Sequence, residues 1–167
     1  MLILETNTYA LEAFAIEYAA AAGLEPLAEA ELSLKRATLG IDRLYGARFI
    51  GTKTTGEQLL MWPRRPAGPI FDITPDWYLV DSFGNYRNFT ELPVELSQAT
   101  VELAVMIEAG EDIYAQSAPF VVSDTLKVDV IELSQTYQRG YQVSSTSRIA
   151  LILAPLLAAP GQIRLVR

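Results

Sequence analysis

Carboxylates are the main candidates for chemistry in this chain, and they stand without their usual helpers. Among 167 residues there are 20 acidic and 13 basic side chains, but no histidine and no cysteine. Histidine is the usual general base near neutral pH and the commonest transition-metal ligand, so serine triads and histidine-ligated zinc are excluded. Without cysteine there are no thiolate nucleophiles, disulfides or cysteine-held zinc and iron–sulfur centres. Glu111–Asp112, and Asp129 with Glu132, are the remaining pairs for acid–base work. Nothing in the sequence raises the pKa of either, and both pairs read as solvated charge. The glycines match neither GxGxxG nor a Walker-type phosphate loop. The expectation is a chain with no catalytic residues, no metal site and no cofactor.

The cations pose a second question. A net charge of −7 argues against a protein whose main task is gripping DNA, since such affinity comes from neutralising phosphates. The charges are nonetheless segregated. Residues 1–34 hold six glutamates and no base, whereas residues 35–65 hold Lys35, Arg36, Arg43, Arg48, Lys53, Arg64 and Arg65 against Asp42 and Glu57. Tyr45, Phe49 and Trp62 interleave with those cations, as single-strand nucleic-acid binders require. Their apolar surroundings read more simply as core. A polarised surface of this kind suits stacking one subunit on another. The last residues alternate Ile163, Leu165 and Val166 with Arg164 and Arg167, which fits strand addition to a partner and fraying equally.

Four helices must position these groups. Asn7 or Thr8 caps the first, which runs to about Ala22 with Tyr9, Ala13, Ile16 and Ala20 as its buried stripe and Glu12 and Glu17 off it; Gly23 ends it. The second spans about 28–45, with Leu34, Ala37, Ile41 and Leu44 inward and Lys35, Arg36, Asp42 and Arg43 solvated. Gly40 inside it implies close helix packing. Residues 50–76 are mostly irregular. Trp77–Val80 and Tyr86–Phe89 flank a turn at Gly84-Asn85, giving a β-hairpin insertion over 77–89. Pro93 opens the third helix, whose Leu96, Ala99, Leu103 and Ile107 face the core; Glu91, Glu95, Gln98 and Glu102 form an acidic row that reads as a solvated face. Phe120–Val122 and Leu126–Leu133 read as strands, and Tyr137–Val143 as a polar loop. Ser145 or Ser147 caps a fourth helix, kinked by Pro155.

The fold class expected is therefore mainly α with a minor β component. It is a single domain over 1–167: a small bundle of about four helices with a β-hairpin insertion, a short strand pair, and a C-terminal helix and extended tail over 148–167. The start lacks the positive region of a signal peptide, and no tract is long and apolar enough to span a bilayer. A soluble protein that folds in a cytoplasm, with no membrane partner, is expected.

The order NTYALEAFAIEYA (7–19), ELSLKRATLGIDRLYGARFIG (31–51), QLLMWPR (58–64), LPVELSQATVELAVMIEAGE (92–111) and RIALILAPLL (148–157) resembles a family of small tailed-phage proteins. They are commonly labelled DnaT-like single-stranded DNA-binding proteins and are similar to head-completion and head-tail connector proteins. The most specific pieces are Arg36-Ala37-Thr38 with Asp42 and Tyr45, the triplet Trp62-Pro63-Arg64, and Pro93, Glu95, Ala99, Glu102, Leu103 and Ala104. The aromatic hairpin of 77–89 is longer than the family's pattern.

That resemblance implies a structural neck protein of the virion, assembled in the host cytoplasm. It would form a homo-oligomeric ring of about twelve copies between the portal protein and a tail-side protein, through which genomic double-stranded DNA passes. For such a ring, Arg148, Ile163, Arg164, Leu165, Val166 and Arg167 are the portal-docking candidates, and Glu95, Gln98 and Glu102 the lumen candidates. Lys35, Arg36, Arg43, Arg48, Arg64 and Arg65 would form an inter-subunit basic face, and Trp77, Tyr78, Phe83 and Tyr86 a tail-side contact. The alternatives are a single-stranded-DNA-binding replication accessory protein, or another neck or tail-completion protein.

Overall fold

Helix α3 (Val94–Glu108) is the axis around which α1 (Glu12–Ala22), α2 (Ala30–Tyr45) and α4 (Thr146–Leu153) pack. This arrangement comes from a computed structural model, which describes residues 2–4, 6–65, 78–88, 91–114, 123–128, 131–136 and 146–158. The described chain is mainly α with three short antiparallel strand pairs. Leu96, Ala99, Val101, Leu103 and Ala104 are buried right round α3 because neighbours cover it on three sides. Against them lie Leu34, Ala37 and Ile41 of α2 and Ile149 and Leu153 of α4. Each large aliphatic side chain so buried contributes about 1.5–3 kcal/mol.

The inward face of α2 is the one its periodicity predicts, with Leu44 partly buried at its edge. Gly40 meets the core at the close approach expected of it: a Cβ there would lie 2.9 Å from Ile113 Cδ1 and 3.1 Å from Leu103 Cδ2. Helix α1 departs from expectation. It begins at Glu12, not at Asn7 or Thr8, because the preceding residues are held in another way. Thr38 Oγ1 accepts from the Tyr9 amide, Ser97 Oγ donates to the Tyr9 carbonyl, and the Thr8 hydroxyl closes a local turn with Ala10. Only Ala15 and Ala19 of α1 are buried; Ala13, Ile16 and Ala20 face outward. Gly23, at φ 67°, ends the helix as expected, its amide returning to the Ala19 carbonyl.

After α2 a 3₁₀ turn (Gly46–Arg48) leads to Phe49, which meets Trp62 edge-on with ring centres 6.2 Å apart. Strands β1 (Thr52–Lys53) and β2 (Arg64–Arg65) pair beside it. The expected hairpin is present as β3 (Tyr78–Val80) and β4 (Tyr86–Asn88), with Gly84 in its turn at φ 87°. The single strand expected over Leu126–Leu133 is instead two, β5 (Ser123–Val128) and β6 (Ile131–Thr136), with Leu126 opposite Leu133 and Val128 opposite Ile131. Alternation alone cannot separate one long strand from two joined by a reversal, and the intervening Asp129 is a turn-favouring residue type. Helix α4 gives way at Pro155 to a 3₁₀ turn (Ala154–Leu156). The chain then pairs with the segment after α2: Ile50 N–H donates to Leu156 O and Ala158 N–H to Arg48 O. Expectations placed on Phe120–Val122, Tyr137–Val143, Ser145, Trp77 and 161–167 lie outside the described residues.

Candidate functional site

The polar side chains singled out by sequence gather at three places. The first lies under α2. Tyr9, with no exposed surface, donates its hydroxyl to Asp42 Oδ1 at 2.6 Å. Asp42 Oδ2 accepts the Met61 amide at 3.0 Å, and the Tyr9 hydroxyl in turn accepts the Trp62 amide at 3.1 Å. Burial, reinforced by the Asp42 charge, pushes the Tyr9 phenol far above its ordinary value. Burial also raises Asp42, against the opposing hydrogen bonds from Tyr9 and Met61 and the charges of Lys53 and Arg64. The Trp62-Pro63 bond at this place is cis.

Arg64 completes this cluster. It is buried, and its guanidinium donates to Ile50 O (2.6 Å), Gly51 O (2.7 Å), Met61 O (3.1 Å) and Phe49 O (3.3 Å), with Phe49 also beneath it. It is therefore removed from the expected basic face. Five fixed donors in a planar fork suit Arg to tying several carbonyls together. Of the remaining cations, Arg36, Arg43, Arg48 and Arg65 are exposed, while Lys35 is half-buried and pairs with Glu31 at 2.7 Å. Tyr45, Phe49 and Trp62 are core residues, as their surroundings predicted, and offer no stacking platform.

The second cluster joins three helices. Glu102 of α3 is 4% exposed and accepts two bonds from Arg148 of α4, at 2.6 Å and 2.9 Å, and one from the Tyr18 hydroxyl of α1 at 2.9 Å. Burial, and then the bond to Glu102, raises the Tyr18 pKa. The Glu95–Gln98–Glu102 row is thus not a solvated face. A helix covered on three sides leaves a mid-helix carboxylate no water, and a buried carboxylate needs partners. Glu95 is also engaged, by Arg87 at 2.7 Å. Arg148, expected in a docking tail, lies on α4 with its side chain largely exposed and is tied to Glu102 of α3.

The third cluster fastens the hairpin. Asp81, buried at its mouth, accepts from the Phe83 and Asn85 amides, the Asn85 side chain and Arg87 Nε. Burial would raise its carboxyl, but these bonds, Arg87 foremost, outweigh that and hold it at about 2. Ser82 donates to the carbonyls of Pro155 and Ala154, so the turn rests on the end of α4. Phe83 points outward, 68% exposed; Tyr78 and Tyr86 lie in the two strands. Among the described residues no acidic group is arranged to hold a metal ion, and no helix is long and apolar enough to cross a membrane.

A model of the family described as "Putative DnaT-like ssDNA binding protein" matches residues 3–167, nearly the whole chain. The chain belongs to this family. No curated protein and no solved structure matches it. The pieces that carried the resemblance to this DnaT-like family prove to be mostly scaffold. Thr38 and Asp42 hold Tyr9, Tyr45 and Trp62 fill the core, Arg64 ties four carbonyls, and Glu102 joins α1, α3 and α4. Asp42 is partly buried and Glu102 buried, contrary to the solvated faces expected for them, because each lies at the margin of an apolar stripe. The detectable signal was position: Asp42 follows Thr38 by four residues and precedes Tyr45 by three, inside the angular range of a buried face.

Proposed function

We propose that this DnaT-like family member is a structural subunit of a protein assembly, specifically a head-to-tail adaptor in the neck of a tailed phage. One observation carries the reading: the helices turn aliphatic side chains to solvent, with Ile16, Leu39, Val94 and Leu151 each at least half exposed. Tyr45, Phe49 and Trp62, the aromatics interleaved with the cations, are turned inward. Of the exposed aliphatics, Ile16 stands in a contiguous exposed apolar row with Ala13 and Ala20, the kind of patch that favours a protein partner. An acidic chain is also suited to letting DNA slide past without trapping phosphates. In this reading the protein has no catalytic role, joins copies of itself into a ring in the virion neck, and meets the portal through the C-terminal segment.

A second reading, single-stranded DNA binding, is favoured by the family's description and by the exposed Arg36, Arg43, Arg48 and Arg65. Mixing the protein with portal particles and imaging by negative stain tests the first: added density on the portal supports it, and bare portals at saturating protein count against it. A mobility-shift titration with a single-stranded oligonucleotide at low and physiological salt tests the second. Tight, salt-sensitive binding would replace the adaptor reading with the DNA-binding one.

A further inference from the structure

Helix α1 is apolar on two opposite sides. Its inner side packs Ala15 and Ala19 on the bundle, while Ala13, Ile16 and Ala20 form a continuous outer stripe, edged by Glu12 on one side and Glu17 on the other. A helix that is apolar all round is normally covered all round. Helix α2 carries the counterpart. Leu32, Arg36, Leu39 and Arg43, spaced four, three and four residues apart, form one outward row in which aliphatic and cationic side chains alternate. Among the described residues Glu12, Glu17 and Arg36 have no charged partner; Arg43 makes only a long 3.4 Å bond to the Tyr114 hydroxyl.

We infer that the outer stripe of α1 in one copy docks on the Leu32–Arg36–Leu39–Arg43 row of α2 in a second copy. The two rows match in chemistry. Ile16 and the flanking alanines meet Leu32 and Leu39, and Glu12 and Glu17 at the edges meet Arg36 and Arg43. The segregation of acidic residues before position 35 from basic ones after it is what such a contact needs, since like stripes would repel. The contact joins two different surfaces, so it is heterologous and propagates to a closed ring or an open filament. It deepens the assembly reading and rests on it.

The cysteine-free chain makes the test direct. Ile16→Cys and Leu39→Cys are made separately at exposed positions, and the two variants are mixed under mild oxidation. A 16–39 disulfide between copies, in large excess over 16–16 and 39–39 products, is expected. Equal amounts of all three products, or no 16–39 product, overturn the contact. Charge reversal supplies an independent arm read by sedimentation velocity. R36E/R43E is expected to weaken self-association roughly tenfold or more, and adding E12K/E17K to the same chain to restore it. A quadruple variant as weak as the double one also overturns the contact. Self-association that persists without the 16–39 product removes this interface and leaves the assembly reading standing. A chain that stays monomeric at all concentrations removes both.

Discussion

Helices α1 and α2 follow one another in the chain yet divide their surfaces in different ways. On α2 the inward residues are mostly apolar, with Ser33 and Thr38 buried among them, and the outward row of Leu32, Arg36, Leu39 and Arg43 alternates leucine with arginine, so periodicity identifies the core face. On α1 nearly every position that is not glutamate is alanine or larger and apolar, and periodicity selects the wrong side: Ile16, placed in the core by spacing, is 64% exposed. An amphipathic helix reports its buried face, whereas a helix apolar all round reports that a second partner exists without saying which side meets it.

The inner face of α2 offers the strongest way to break this comparison. Asp42→Ala leaves the Tyr9 hydroxyl and the Met61 amide without their acceptor, and is expected to cost about 2–4 kcal/mol in denaturant unfolding. A loss below about 1 kcal/mol would mean that the network under α2 does not hold the fold. Gly40→Leu should cost about 1–3 kcal/mol by overpacking against Ile113 and Leu103, partly offset by the roughly 1 kcal/mol gain in helix propensity; thermal melts read it. Arg148→Ala strips a buried carboxylate of its cation, but Arg148 is itself 60% exposed in its side chain. The expected loss is smaller, about 1–2 kcal/mol, and Glu102→Gln in the same background should recover part of it.

The hairpin sharpens the contrast through pH. Asp81 is held at about 2 in the fold against an ordinary 3.8. Its depressed pKa means that its contribution is present above pH 3.8 and is lost as pH falls from about 4 towards 2. The protection factors of the Phe83 and Asn85 amides, taken relative to the intrinsic exchange rate at each pH, should fall in that window and become insensitive to it in Asp81→Asn. The smallest effects belong outside: Ile16→Ala, Leu39→Ala and Arg36→Ala should each change monomer stability by no more than about 0.5 kcal/mol while weakening self-association.

Much of the architecture was legible because α2, α3 and α4 bury aliphatic residues at helical spacing, and because Pro93, Gly84 and Pro155 mark where elements start, turn or break. The polar interior was not. Sequence spacing gives an angle on one helix, but whether Glu102 meets water depends on α1 and α4 arriving from distant parts of the chain. Arg64 looked like a member of a cationic face for the same reason. Its role is fixed by the carbonyls of residues 49–51, brought to it by the pairing of β1 and β2.

Sedimentation velocity of the full chain with a fluorescent single-stranded oligonucleotide at physiological salt tests the assembly reading most directly. The expected result is protein that sediments as larger species with rising concentration while the oligonucleotide stays in its own slow boundary. A monomer that carries the oligonucleotide with it, and releases it when salt is raised, would contradict the reading.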